Sequence, residues 1–284
     1  MNPEDDKDEV GVNETASIPR GAMALPACYE EEVRIAGWVK TTLIDYPGKI
    51  ASTLFLEGCN FRCPYCHNPE LVSPLARNAS ALYDPEEILA YFCTFSRLLE
   101  GVCISGGEPL LQAGLAAFCR QAARLGLKLK LDTNGSLPER LEPLLRENLL
   151  DYVAVDVKGP PGRLRGIARS ALDEAHLVRS VETTVEMLKR SGVPFELRTT
   201  VVPGLLEEDD LDRLAAWMRG APRLVLQQFR PGKTLDPVYQ GVLPFPPQVL
   251  RELASRLAGQ FGECVVRGVG DPVPPARAPQ PHPG

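Results

Sequence analysis

Three cysteines within eight residues, Cys59-x3-Cys63-x2-Cys66, place three soft thiolates on one short segment of the 284-residue chain. Such a ligand set selects zinc, copper(I) or an iron–sulfur cluster. A structural zinc wants four ligands in a closed tetrahedron. His67, directly after Cys66, is awkwardly placed to be the fourth, and no second ligand pair follows at zinc spacing. Three thiolates on a four-iron cluster would leave one iron open to another molecule. Eight cysteines in all would suggest disulfides in a short secreted chain, but the spacing of these three favours metal ligation. Of the others, Cys93 and Cys119 fall in expected helices and Cys103 in an expected strand, where a free cysteine acts as a small buried hydrophobe. Cys28 and Cys264 stand alone, and His176 and His282 have no metal partner at helical or turn spacing.

Short apolar runs alternate with segments of helical period, the pattern of repeated βα units around a parallel sheet. Six strands are expected: Ser52 to Glu57, Val102 to Ser105, Leu127 to Asp132, Tyr152 to Val157, Phe195 to Val202 and Leu224 to Phe229. Between them, Ile88, Phe92, Phe95 and Leu99 mark one amphipathic helix, and Leu111, Leu115, Phe118 and Ala122 another. Asp84-Pro85-Glu86-Glu87 supplies a cap, a proline and first-turn acids to start the former. Leu211, Leu214, Ala215 and Met218 mark a third, and Pro246-Pro247 followed by Leu250, Leu253 and Leu257 a last. Six units are fewer than the eight of a closed barrel, so an open, partial (β/α)6 barrel is expected. In barrels the chemistry sits at the C-terminal strand ends. There this chain puts its three cysteines, then Gly106-Gly107-Glu108-Pro109, Asp132-Thr133-Asn134-Gly135, Asp156-Val157-Lys158 and Val202-Pro203-Gly204.

Parity adds to this. Asp156 and Lys158 are two apart and point the same way, and charged groups are seldom buried unless paired, so they read as a site pair or a structural ion pair. Arg198, in mid-strand, invites the same two readings. Lys128 and Lys130 share parity with Asp132, so an unbulged strand aims both into the lumen unless one strand end is exposed.

Residues 1–32 contain nine of the 37 acids but only two of the 31 basic residues, and they lack sustained apolar periodicity. They read as a disordered leader. Residues 271–284, with six prolines, read as an extended, disordered tail. The folded catalytic domain is expected at 33–270. The net charge of −6 and pI of 5.3 are opposite to the basic balance of a nucleic-acid binder. No apolar run is long enough to span a bilayer and no signal peptide opens the chain, so no membrane partner and a cytoplasmic location are expected. Arg163, Arg165 and Arg169 read as a solvated loop that could also meet an acidic partner.

The cysteine motif at the end of a first strand, with an aromatic, Tyr65, before its last member, resembles the signature of radical S-adenosylmethionine enzymes. The stretch from Gly37-Trp38-Val39-Lys40-Thr41-Thr42-Leu43-Ile44-Asp45-Tyr46-Pro47-Gly48-Lys49 through Cys59 to Asn68-Pro69 resembles the glycyl-radical-enzyme activases. Among these it is most similar to the anaerobic ribonucleoside-triphosphate reductase activating proteins, with pyruvate formate-lyase activating enzyme as a cousin. The resemblance implies a partial (β/α)6 barrel and one [4Fe-4S] cluster on Cys59, Cys63 and Cys66. Its open iron would chelate the amino and carboxylate groups of S-adenosylmethionine. Reductive cleavage would give methionine and a 5′-deoxyadenosyl radical, which takes a glycine hydrogen from a partner glycyl radical enzyme. The electron donor would be flavodoxin or ferredoxin. Around the cofactor the resemblance implies Tyr65, Gly106, Gly107, Glu108 at the methionine ammonium, Asp132 and Asn134 with a monovalent cation in the cousin, Asp156, Lys158 and Arg198. Gln228 stands where the cousin has a cofactor-contacting histidine. Two other readings remain: a radical enzyme that modifies a small molecule or peptide, and a metal-binding module without catalysis.

Overall fold

The computed structural model describes residues 33–72 and 82–269. The expected leader and tail, with Cys28 and His282, lie outside the described residues. Eight strands form one sheet in strict sequence order: β1 (Ile35–Thr42), β2 (Ala51–Leu56), β3 (Gly101–Gly106), β4 (Lys128–Thr133), β5 (Tyr152–Asp156), β6 (Phe195–Val201), β7 (Arg223–Gln228) and β8 (Glu263–Arg267). β2 to β8 run parallel, and β1 pairs antiparallel with β2. The six expected strands are β2 to β7, each within one residue of its expected ends. β1 and β8 were not expected. The ladder of β1 is irregular on both sides of Gly37-Trp38-Val39, which hides its alternation, and β8 is only five residues long and half-exposed. Among the described residues no ladder joins β8 back to β1, so the barrel is open, with six central strands and one more at each edge.

In-register parallel pairing makes the paired residues share a face, and this divides the sheet sharply. Leu54, Leu56, Val102, Ile104, Leu129, Leu131, Val153, Val155, Leu197, Leu224 and Leu226 form one buried face. The helices cover it: α1 (Pro69–Val72), α2 (Pro85–Thr94), α3 (Leu115–Arg124), α4 (Pro138–Arg146), α5 (Leu164–Ala168), α6 (Glu174–Ser191), α7 (Glu208–Trp217) and α8 (Pro247–Leu257). Each fully buried aliphatic side chain there contributes about 2 kcal/mol. The other face, the barrel lumen, carries Cys103, Ser105, Lys130, Asp132, Asp156, Glu196 and Arg198. The apolar core therefore lies outside the barrel and leaves its interior polar.

The helices begin where capping chemistry permits. The Asp84 carboxylate accepts from the Glu86 amide (2.9 Å) at the start of α2, and Glu207 and Asp210 form a reciprocal capping box on α7. Two helices depart from expectation. α2 stops at Thr94, leaving Phe95 exposed, while Leu99 is buried in the turn to β3. α3 starts at Leu115, because Pro109–Leu111 is a separate 3-10 turn capped by the Glu108 carboxylate.

Candidate active site

The β2–α1 loop carries the cysteines and is tied down from several sides. The Arg62 amide donates to Ala168 O at the end of α5 (2.8 Å), the Leu235 amide to Cys66 O (2.9 Å) and the Asp236 amide to Pro64 O (2.9 Å). The His67 ring bonds Arg230 O (2.6 Å). Asn60 bridges to the end of β4, its amide donating to Ser136 Oγ (2.7 Å) and its carbonyl accepting from Asn134 Nδ2 (2.8 Å).

Beside the loop, the end of β3 comes so close that only glycine fits. A Cβ on Gly107 would lie 1.9 Å from Gly58 O, and one on Gly106, at φ 126°, 2.2 Å from Leu56 N. In return the Gly107 amide donates to Leu56 O (2.9 Å) and the Glu108 amide to Gly58 O (2.8 Å). These glycines thus fix the approach of the two strand ends that form the site.

Cys59, Cys63, Tyr65 and Cys66 line one cavity together with Gly106, Gly107, Asp132, Asn134, Asp156 and Lys158. Phe61, Val72, Ser105 and Thr133 complete its wall. Thr133 lies inside the expected Asp132-Thr133-Asn134-Gly135 motif and Ser105 directly precedes Gly106, whereas no motif flagged Phe61 or Val72. Two expected site residues lie elsewhere. Glu108 is fully buried and turned away, its carboxylate accepting from the Leu110 amide (3.1 Å), Thr133 Oγ1 (2.8 Å) and the Asn134 amide (2.7 Å). Arg198 is saturated by carboxylates: Nε and Nη2 grip Asp156 (2.9 and 3.0 Å) and Nη1 reaches Asp132 (3.1 Å). It borders a second cavity of about 600 Å3, also lined by Asp132, between the β1–β2 turn and the ends of β7 and β8. Gln228 does not line the cysteine cavity; it donates to Phe245 O (2.6 Å). The lysine parity resolves simply: Lys130 is buried in the lumen beside Asp132, and Lys128 emerges at the start of β4 to pair with Asp151 (2.7 Å). Arg169 pairs with Asp236 (2.8 Å) and Arg163 with Asp210 (3.3 Å), so those arginines brace the fold.

Burial pushes the Cys59 thiol up to about 12 and the Cys63 thiol up to about 11, and raises that of Cys66; the Lys158 ammonium opposes the rise at all three. Lys158 itself is held charged: burial works against it, and Asp156, 3.5 Å away, together with Cys63 and Cys66, more than compensates. A metal that binds here must displace thiol protons. Among the described residues no three Cys, His, Asp or Glu side chains close up as a cage for one ion. The thiols instead border a space, which suits a multi-iron group better than a lone zinc. The Tyr65 hydroxyl, buried beside Cys63, takes no hydrogen bond of normal geometry and is left for a ligand.

Comparison with known proteins agrees with this geometry. The model of the radical SAM superfamily matches residues 53–216, more than half of the chain. The chain belongs to the radical S-adenosylmethionine superfamily, whose enzymes use a [4Fe-4S] cluster and S-adenosylmethionine. A Methanocaldococcus jannaschii protein provisionally named as a glycyl-radical enzyme activating enzyme is 32% identical over 237 residues, covering 83% of this chain and 96% of its own length. The pyruvate formate-lyase-activating enzyme of Listeria monocytogenes is 29% identical over 196 residues, 64% of this chain and 74% of its own. These relatives set the chain in the activase group of the superfamily. Streptococcus suis SuiB bound to S-adenosylmethionine has the same fold, with a TM-score of 0.56 at 12% identity, covering 74% of this chain and 48% of that one. This chain spans about half the length of that neighbour. No helix of the described residues is long and apolar enough to cross a membrane.

Proposed function

We propose that this enzyme installs a glycyl radical on a separate protein, and that anaerobic ribonucleoside-triphosphate reductase is its partner. The observation that carries the reading is the convergence of Cys59, Cys63 and Cys66 with the ends of β3, β4 and β5 around one cavity. Bound there, a reduced [4Fe-4S] cluster and S-adenosylmethionine would supply a 5′-deoxyadenosyl radical able to take a hydrogen from glycine. The chain's own residues hold and orient. Cys59, Cys63 and Cys66 would hold the cluster through their thiolates. The Gly106-Gly107 backbone, with Asn134, would receive the methionine end, the Glu108 carboxylate being occupied by its three donors and the Asp132 carboxylate by Lys130, Arg198 and Ser105. Tyr65 offers its free hydroxyl, and the Lys158 ammonium offsets thiolate charge or holds the cofactor's carboxylate. Asp156 holds Lys158, and Arg198 holds Asp156. The second cavity of about 600 Å3, sharing Asp132 with the first, gives room for an extended polypeptide segment, and this favours a protein target. Flavodoxin or ferredoxin would bring the electron, in the cytoplasm.

The test is anaerobic. The protein is reconstituted with iron and sulfide, reduced with dithionite, and mixed with S-adenosylmethionine and the ribonucleotide reductase. A glycyl radical by electron paramagnetic resonance, with 5′-deoxyadenosine by chromatography, is the expected result, and both should vanish in Cys63→Ala. Cleavage retained in that variant would sink the cluster assignment. 5′-Deoxyadenosine without a protein radical would sink the partner and point to a small-molecule or peptide target.

A further inference from the structure

The lumen beside the cysteine cavity supplies its own cations to its carboxylates. Lys130 is only 1% exposed; its ammonium donates to Asp132 Oδ1 and lies 3.5 Å from Cys103 Sγ. Asp132 Oδ2 accepts from Arg198 Nη1 and from Ser105 Oγ, both at 3.1 Å. Asp156 takes Arg198 through both oxygens, and Lys158 stands 3.5 Å from its Oδ2. Every oxygen of the two carboxylates therefore has a cationic donor. Burial disfavours the Lys130 charge, yet Asp132 and Cys103 together outweigh this and raise its pKa above the usual lysine value.

An alkali cation binds through oxygen ligands, and the resemblance noted above implies one beside Asp132. The residues here do not fit it. Its carboxylate ligands are already engaged, and a further cation would meet the Lys130 ammonium and the Arg198 guanidinium at the same oxygens, where low dielectric strengthens repulsion. We propose that this chain carries its monovalent cation covalently: the Lys130 ammonium, with the Arg198 guanidinium, replaces an alkali ion between Asp132 and Asp156 and so fixes Asp156 and Lys158 at the cysteine cavity. Lys130 is thus a positioning residue, whatever protein or molecule receives the radical.

The experiment compares the reconstituted enzyme in choline, sodium and potassium chloride at equal ionic strength. The native protein should form 5′-deoxyadenosine at rates within about twofold across the three salts and melt at one temperature, because no cation binds the folded state selectively. Lys130→Met removes the built-in charge and leaves a buried carboxylate short of a partner. Its rate in choline should fall at least about tenfold and recover, together with its melting temperature, on saturation with potassium or sodium. Lys130→Arg, which keeps the charge, should be indifferent to the salt. Saturable binding of sodium to the native protein by 23Na resonance overturns the proposal. So does a folded Lys130→Met that is equally active in all three salts, or whose loss no salt repairs. Should Lys130→Met fold only with an alkali cation, that rescue supports the proposal; should it fold in no salt, the native sodium titration decides.

Discussion

Glu108 shows how far a motif and its chemistry can separate. Burial drives its carboxyl up to about 7 against the pull of Asn134, Thr133 and Leu110. A folded-state pKa above the unfolded value of 4.5 means that the folded state binds the proton more tightly. The stability contributed is complete below pH 4.5 and is lost as pH rises through about 7. The slope should amount to about 3 kcal/mol across that window. Urea unfolding of the metal-free protein at pH 5 and pH 7.5 measures it, and Glu108→Gln should flatten the difference; an undiminished slope in the variant would assign it to another group. The sequence shows that Glu108 follows a strand end, but its direction depends on Thr133 and Asn134, groups that only the folded chain brings near. Asp132, Asp156 and Lys158 were legible because strand parity aims them before any contact is known. Asn60 was not: its one signal is its place after Cys59, and its partners Asn134 and Ser136 lie at the end of β4.

The separation of β2 and β3 ends is set by backbone, not by side chains. Gly107→Ala would drive a methyl into Gly58 O, a backbone atom that cannot rotate away, so the β3 end must move and carry Cys59 with it. A cost of about 2 kcal/mol is expected from such overpacking. Iron bound per chain after reconstitution should drop with it; full iron content and an unchanged melt would show that the loop yields without loss. The glycine pair was visible in the sequence, where it reads as room for a cofactor, whereas its first use is room for a neighbouring strand. The central strands were legible because β2 to β7 each offer an apolar face of β-branched and leucine residues. β1 was obscured by its register shifts, and β8 by having no fully buried residue to mark an apolar face. Both lie at sheet edges, where one ladder of hydrogen bonds suffices and the apolar signal is weak.

Across the whole molecule, the polar lumen also binds the sheet to its last strand. Glu196, fully buried on β6, accepts from Tyr152 on β5 (3.1 Å) and from Arg267 on β8 (3.2 and 3.3 Å), with Arg223 of β7 at 3.9 Å. Glu196→Ala removes the shared anion and leaves two arginines facing each other. A loss of about 3 kcal/mol is expected, with amide exchange at Glu263–Arg267 rising first while β2 to β4 stay protected; uniform loss of protection would mean that β8 does not open separately.

The anchoring of the cysteine loop has a consequence in time. Cys59, Cys63 and Cys66 are synthesised early, but the groups that hold their loop come from Ala168, Arg230, Leu235 and Asp236. A ribosome adding residues at the usual pace needs on the order of ten seconds or more to deliver the last of them. Throughout that interval the loop lacks its last anchors, and the three thiols are open to iron delivery and equally to oxidation. Absence of oxygen would then protect the chain before it has a cluster as much as the cluster once it is built.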